Sequence, residues 1–161
     1  MAKDMDAESP EQIRERVRNS ALASLTRREH ARAELAQKLN QRFHSASQLN
    51  TPELIEETLD WLSDLGYLDD TRFTEMFIRS SVSSGRGPIR IAHELRQKGV
   101  ASVQIEQALD ECEVDWMELA AEVLARKFST APADAKEKAR QVRYLQYRGF
   151  RPDHIFCQFE R

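Results

Sequence analysis

The sequence predicts an all-α protein, and three observations support that prediction. Gly and Pro each occur only five times in 161 residues, so the chain carries few of the residues that interrupt helices. Ala, Leu, Glu, Arg and Gln are abundant, whereas runs of the strand-forming residues Val, Ile and Thr are scarce. Apolar residues also recur at helical spacing, as at Leu119, Ala120 and Val123, which lie on one helix face.

Local capping patterns predict where the helices begin. Ser9, Thr26 and Asp134 each precede Glu or Gln by three residues, a spacing that satisfies the free amides of a first helical turn. Thr51-Pro52 and Gly87-Pro88 place proline at the first helical position, where its missing amide costs nothing. Five helix starts are therefore marked by the sequence itself.

Glycines predict where several helices end. Gly66, Gly99 and Gly149 each follow an apolar-periodic run, at the position where a left-handed residue commonly closes a helix. Asp69 is expected to cap the helix that follows Gly66. Together with the start signals, these marks predict helices over residues 10–24, 27–42, 52–65, 70–83, 88–98, 102–112, 115–128, 135–148 and 152–160.

An internal repeat groups these helices in threes. The pattern Leu-x-x-basic-Gly-apolar-x-x-x-x-Ile occurs at 95–105 and again at 145–155, and 35–39 resembles a weaker first copy. Units this small stack on their neighbours, so an elongated, curved molecule is expected. The predicted organisation is a flexible tail over residues 1–9, followed by three-helix repeats over 10–68, 69–113 and 114–161.

Several functional classes lack their motifs. No apolar stretch approaches the roughly 20 residues of a membrane span, and the first eight residues lack the apolar core of a signal peptide. We therefore expect a cytoplasmic protein that does not associate with a membrane. Cys112 and Cys157 are expected to be small buried residues, and the four histidines are too scattered to hold a metal. No cofactor is predicted.

No catalytic constellation is evident. The stretch from Gly85 to Arg90 lacks the spacing of a nucleotide-binding loop and has no strand before it. Asp60 with Asp64, or Asp69 with Asp70, would be the carboxylates of a magnesium-dependent nuclease. The first pair is expected on a solvated helix face and the second at a helix cap. We predict that the protein is not an enzyme.

Charge is strongly segregated although the net charge is only −3. Residues 51–68 hold five acidic and no basic side chains, whereas residues 131–161 hold seven basic and four acidic ones. The fifty-residue repeat aligns Arg86 with Lys136, Arg90 with Arg140, His93 with Arg143 and Lys98 with Arg148. Matched cations at helical spacing favour a binding face over a merely solvated surface.

The predicted basic face consists of Arg86, Arg90, Lys98, Lys136, Arg140, Arg143 and Arg148. Tyr144 and Tyr147 lie among the third-repeat cations, where they would either stack on a nucleic-acid base or pack between repeats. Charge alone does not distinguish DNA from an acidic protein surface.

Several motifs of this sequence resemble the bacterial RecX family. They are Gly66-Tyr67-Leu68-Asp69-Asp70-Thr71-Arg72-Phe73, Phe77-Ile78, Gly87-Pro88-Ile89-Arg90-Ile91, Glu94-Leu95 with Lys98-Gly99, Asp115-Trp116, and Tyr147-Arg148-Gly149-Phe150. The resemblance runs from about Arg14 to the C-terminus and implies three tandem three-helix units in a crescent.

The resemblance also implies a function and partners. RecX proteins are known as regulators that bind the RecA recombinase and DNA, and that inhibit RecA ATPase, strand-exchange and coprotease activities. The implied partners are the RecA filament, in its helical groove, and single- and double-stranded DNA, with a monomer expected in isolation. The alternative from the residues themselves is a stand-alone helical DNA-binding module.

Overall fold

A computed structural model of the chain describes residues 8–44 and 51–160. Over these ranges all regular secondary structure is helical, which confirms the all-α prediction. The helices are α1 (Pro10–Arg27), α2 (Arg32–Arg42), α3 (Thr51–Asp64), α4 (Asp70–Ser83), α5 (Pro88–Gln97), α6 (Ser102–Glu111), α7 (Trp116–Lys127), α8 (Ala135–Arg148) and α9 (Pro152–Phe156). The predicted tail, residues 1–9, lies outside the described residues except for its last two positions.

The chain divides into two compact units, Met1–Phe73 and Thr74–Arg161. In the first unit, α1, α2 and α3 pack on one another around a core that includes Val17, Leu35 and Leu59. In the second unit, α5 packs on α6, and α7, α8 and α9 pack together around Leu145 and Phe150. The repeat bounds at 10–68, 69–113 and 114–161 remain predictions.

The first unit confirms one capping prediction and corrects another. Ser9 Oγ accepts a hydrogen bond from the Gln12 amide at 3.2 Å, and Gln12 Oε1 accepts one from the Ser9 amide at 2.8 Å. The box predicted at Thr26 is wrong, because its hydroxyl donates to the Leu22 carbonyl at 2.8 Å and α1 continues through Arg27.

The start of α2 is capped from a distant part of the chain. Its N-cap residue, Ala31, has no side-chain oxygen, and Asp70 Oδ1 instead accepts the hydrogen bond of the Arg32 amide at 2.7 Å. Asp69 caps its own helix, as predicted, by accepting from the Thr71 amide at 2.9 Å. The two aspartates therefore cap two different helices.

The predicted glycine ends are confirmed. Gly66, Gly99 and Gly149 adopt φ values of 77°, 82° and 96°, which lie in the left-handed region. Asp134 caps α8 by accepting from the Glu137 amide at 2.8 Å. The last helix, α9, ends at Phe156 and is shorter than the predicted 152–160.

The repeated apolar positions form the core of the second unit. Leu95, Leu145 and Ile105 are completely buried, and Ile155 is only 1% exposed. Cys112 and Cys157 were expected to be buried, but both are only half-buried.

Candidate interaction surface

The second and third repeats meet where the start of α5 contacts the end of α8. The Gly87 amide donates to the Arg148 carbonyl at 2.8 Å, and the Ile89 amide donates to the Gly149 carbonyl at 2.9 Å. The free amides at a helix start and the free carbonyls at a helix end are complementary in hydrogen bonding and in dipole. We call these residues, with Gly85 and Arg90, the α5–α8 joint.

Glycine is required at the α5–α8 joint because the two backbones approach so closely. A Cβ atom on Gly149 would lie 2.3 Å from the Arg90 Cβ, and one on Gly87 would lie 2.3 Å from the Gly149 carbonyl carbon. The stretch from Gly85 to Arg90 is therefore a helix–helix contact, not a phosphate loop.

Arg148 contributes to the same joint. Its guanidinium donates to the Gly85 carbonyl at 3.1 Å and also to the Ser84 carbonyl. The side chain thus holds the loop that precedes α5. The sequence analysis placed Arg148 in the basic face. Its actual partners are loop carbonyls more than sixty residues away, and nothing near Arg148 in the sequence indicates them.

Arg86 and Arg90 share one carboxylate. Glu94 accepts from Arg86 Nη1 at 3.2 Å and from Arg90 Nε at 3.0 Å, and all three side chains are roughly one-quarter to one-third exposed. The charge of this pair of arginines is therefore partly neutralised, because the single carboxylate offsets one of the two positive charges. The Arg90–Glu94 pair has the i,i+4 spacing that the sequence itself would have revealed.

The two tyrosines have different environments. Tyr147 is 76% exposed, and the Arg90 guanidinium lies 5.8 Å from its ring centre. Tyr144 is half-buried and meets the edge of Phe128, with ring centres 5.6 Å apart and planes at 87°. Tyr147 is thus available for stacking, whereas Tyr144 packs within the third repeat.

The exposed cations of the predicted face lie on α8. Lys136, Arg140 and Arg143 are exposed, and none of them pairs with a carboxylate in the described part of the chain. Arg140 lies 5.6 Å from the ring centre of Phe128. The remaining predicted member, Lys98, is half-buried and lies 5.9 Å from the ring of Phe77.

The acidic helix α3 has partners inside the first unit. Arg32 Nη2 binds Glu56 at 2.9 Å and Asp60 at 2.7 Å. Burial disfavours the charge of Arg32, but its hydrogen bonds to these carboxylates outweigh burial and raise the pKa of the guanidinium. Over residues 8–44 and 51–160, no group of three or more His, Cys, Asp or Glu side chains is arranged to hold a metal ion.

No helix among the described residues has the length and apolar character needed to cross a membrane.

Comparison with known proteins gives a consistent result. The model of the RecX second three-helix domain matches residues 69–109, and that of the RecX third three-helix domain matches residues 113–157. The regulatory protein RecX of Halorhodospira halophila is 47% identical over 142 residues, covering 88% of this chain and 84% of that protein. The corresponding protein of Pseudomonas savastanoi pv. phaseolicola is 47% identical over 140 residues, covering 86% of each.

Solved structures agree with the sequence relatives. The crystal structure of RecX from Lactobacillus salivarius matches with a TM-score of 0.72 and 25% identity, covering 90% of this chain and 93% of that one. The matched domains make up more than half of the chain, and the sequence relatives exceed two-fifths identity over most of it. The chain therefore belongs to the RecX family of regulatory proteins.

Proposed function

We propose that this protein regulates the RecA recombinase. It binds in the helical groove of the RecA–DNA filament, contacts both protein and DNA, and inhibits RecA ATPase, strand-exchange and coprotease activities. Recombination, DNA repair and the SOS response are modulated in consequence. We further propose that the protein is cytoplasmic and monomeric in isolation, and that it acts without a cofactor and without catalysing a reaction.

The observation that carries the proposal is the set of exposed cations on α8, within the domain that matches the RecX third domain. Lys136, Arg140 and Arg143 have no carboxylate partner in the described residues, so their field extends into solvent. Contacts between exposed cations and DNA phosphates provide much of the affinity of proteins for DNA.

The charge distribution fits a partner of mixed sign. The net charge is −3, so attraction to DNA comes from a local surface and not from the whole chain. Exposed carboxylates on α3, such as Glu53 and Asp64, provide a surface of the opposite sign. A protein filament that encloses DNA presents both a polyanion and basic protein surfaces.

The predicted face divides by role. Arg140, Arg143 and Lys136 are assigned to the partner contact, and Tyr147 beside Arg90 to stacking on an exposed base. Arg148 is assigned to the α5–α8 joint.

A triple charge reversal tests the proposal. The Arg90→Glu, Arg140→Glu, Arg143→Glu variant is expected to lose inhibition of RecA ATPase while its circular dichroism spectrum is unchanged. A matched control reverses the exposed Arg79, Arg96 and Arg126, which changes the net charge equally. Full inhibition by the first variant, or equal loss in the control, would contradict the assignment.

A stand-alone DNA-binding module is the second candidate, because exposed cations on one helix also suit a duplex groove. Tight binding to labelled DNA without RecA, with a steep dependence on salt, combined with no effect on RecA ATPase, would favour it.

A further inference from the structure

A small cleft lies between the end of α7 and the middle of α8. Its lining includes Lys127, Ser129, Thr130, Glu137 and Arg140, and its volume is about 170 Å³. At roughly 30 Å³ per water molecule, this space holds about five or six waters. It is smaller than the roughly 300–1,000 Å³ of pockets that enclose drug-sized ligands. The cleft therefore suits one small polar group.

Two cations at the cleft are held by aromatic rings. Lys127 Nζ lies 5.8 Å from the ring centre of Tyr144, and the Arg140 guanidinium lies 5.6 Å from that of Phe128. The two rings contact each other edge to face. Within the described residues neither cation has a carboxylate partner. Cation–π contacts orient both groups without neutralising their charge.

Hydroxyl groups complete the lining. Ser129 and Thr130 follow the end of α7, and their side-chain hydroxyls make no hydrogen bond to any described residue. The Gln141 side chain donates through Nε2 to the Thr130 carbonyl at 3.3 Å, which fixes this segment against α8. The one acid of the cleft, Glu137, already accepts from the Ala133 amide at 3.1 Å. Hydrogen-bond donors and positive charge therefore predominate in the lining of the cleft.

The second repeat shows what distinguishes Arg140. The fifty-residue repeat aligns Arg140 with Arg90, and Tyr144 with Glu94. Arg90 is paired with Glu94 at 3.0 Å, whereas the third repeat has a tyrosine where that carboxylate would be. Replacement of the acid leaves the charge of Arg140 available to an external anion.

We propose that this cleft binds one phosphate group of a nucleic-acid backbone. The proposal deepens the proposed function and rests on it, since it assigns the DNA contact of the third repeat to a defined site. Lys127, Ser129 and Thr130 enter that contact in addition to the predicted face. The cations provide the charge and the hydroxyls provide hydrogen-bond donors for the phosphate oxygens.

Salt-dependent binding to a labelled single-stranded oligonucleotide tests the site in the absence of RecA. Lys127→Gln and Arg140→Gln are each expected to weaken binding several-fold. Each should also lower the slope of log affinity against log salt concentration by the amount that corresponds to about one phosphate contact. Arg126→Gln is the matched control, because Arg126 is adjacent, exposed and 3.9 Å from Glu122. It removes the same charge and is expected to leave the slope unchanged. Equal slopes for Lys127→Gln and Arg126→Gln would overturn the site.

A nuclear magnetic resonance titration separates the sources of phosphate. Both the oligonucleotide and inorganic phosphate are expected to shift the Ser129 and Thr130 amides of the wild-type protein, and neither to do so in Lys127→Gln. Shifts with inorganic phosphate alone would overturn the nucleic-acid assignment. RecA ATPase is measured separately: a wild-type protein that leaves RecA active, yet binds DNA through Lys127, would overturn the proposed function while supporting the cleft.

Discussion

Replacing Gly149 by alanine should separate α5 from α8. Gly149 has φ of 96°, and an added Cβ would lie 2.3 Å from the Arg90 Cβ and 2.7 Å from the Arg90 amide nitrogen. Gly66 offers a matched control, since its φ is 77° and a Cβ there would meet nothing within 4 Å. Both substitutions impose left-handed strain, but only the first creates a clash.

The expected magnitudes follow from these distances. Left-handed strain in a residue with a Cβ costs about 1–2 kcal/mol, and this is the whole effect expected for Gly66→Ala. In Gly149→Ala the contact must also open from 2.3 Å toward the roughly 3.5–4.0 Å of normal carbon contacts. That movement breaks the bonds from Gly87 and Ile89, at about 0.5–1.5 kcal/mol each. The total is about 2–5 kcal/mol.

Urea unfolding followed by circular dichroism measures the difference, with tryptophan fluorescence as a second probe. Gly149→Ala should lose at least about 1 kcal/mol more stability than Gly66→Ala. Equal losses would refute the role assigned to the close backbone contact, because strain alone would then explain both variants.

Two further predictions concern the core and pH. Leu145→Ala should lower the free energy of unfolding by about 2–5 kcal/mol, because Leu145 is completely buried. Val103→Ala, at a side chain that is 76% exposed, should lower it by under about 0.5 kcal/mol. Equal melting temperatures for the two variants would contradict the repeat core. Burial lowers the pKa of His30 despite its contact with the Arg28 carbonyl. The unfolded chain then binds a proton more readily, so stability should fall as pH drops through about 6.5 and level off below the folded pKa. His30→Gln should flatten this part of the urea-midpoint profile between about pH 7.5 and 5.5; an unchanged profile would exclude His30 as its source.

Helix starts were predictable where the cap is local. At Ser9 the capping partner is three residues away, and the structure agrees with the sequence. At Thr26 the same pattern fails, because the Thr26 hydroxyl finds the Leu22 carbonyl within α1. The start of α2 depends on Asp70, thirty-eight residues from Arg32, and a local pattern contains no information on that pairing.

The candidate site was predictable to a similar extent. Repeat alignment located cations on α5 and α8, and helical spacing placed Lys136, Arg140 and Arg143 on one side of α8. Alignment did not show which of the cations are neutralised. That depends on Glu94, which binds two arginines at once, and on the carbonyls that Arg148 reaches across the joint.

The two aligned basic edges have consequently become different in chemistry. Arg90 and Arg140 occupy matched positions and each lies near one aromatic ring, yet Arg90 is paired with Glu94, whereas Arg140 has no carboxylate partner among the described residues. An ion pair near the surface contributes little to stability and reduces the attraction of Arg90 for an external anion, because Glu94 offsets one of the two arginine charges around it. Arg90 also lies beside the Tyr147 ring, and its backbone packs closely against Gly149 in the α5–α8 joint. In the proposed DNA contact, a substitution in the joint should therefore impair the proposed base stacking at Tyr147 before it affects the proposed phosphate binding at Arg140.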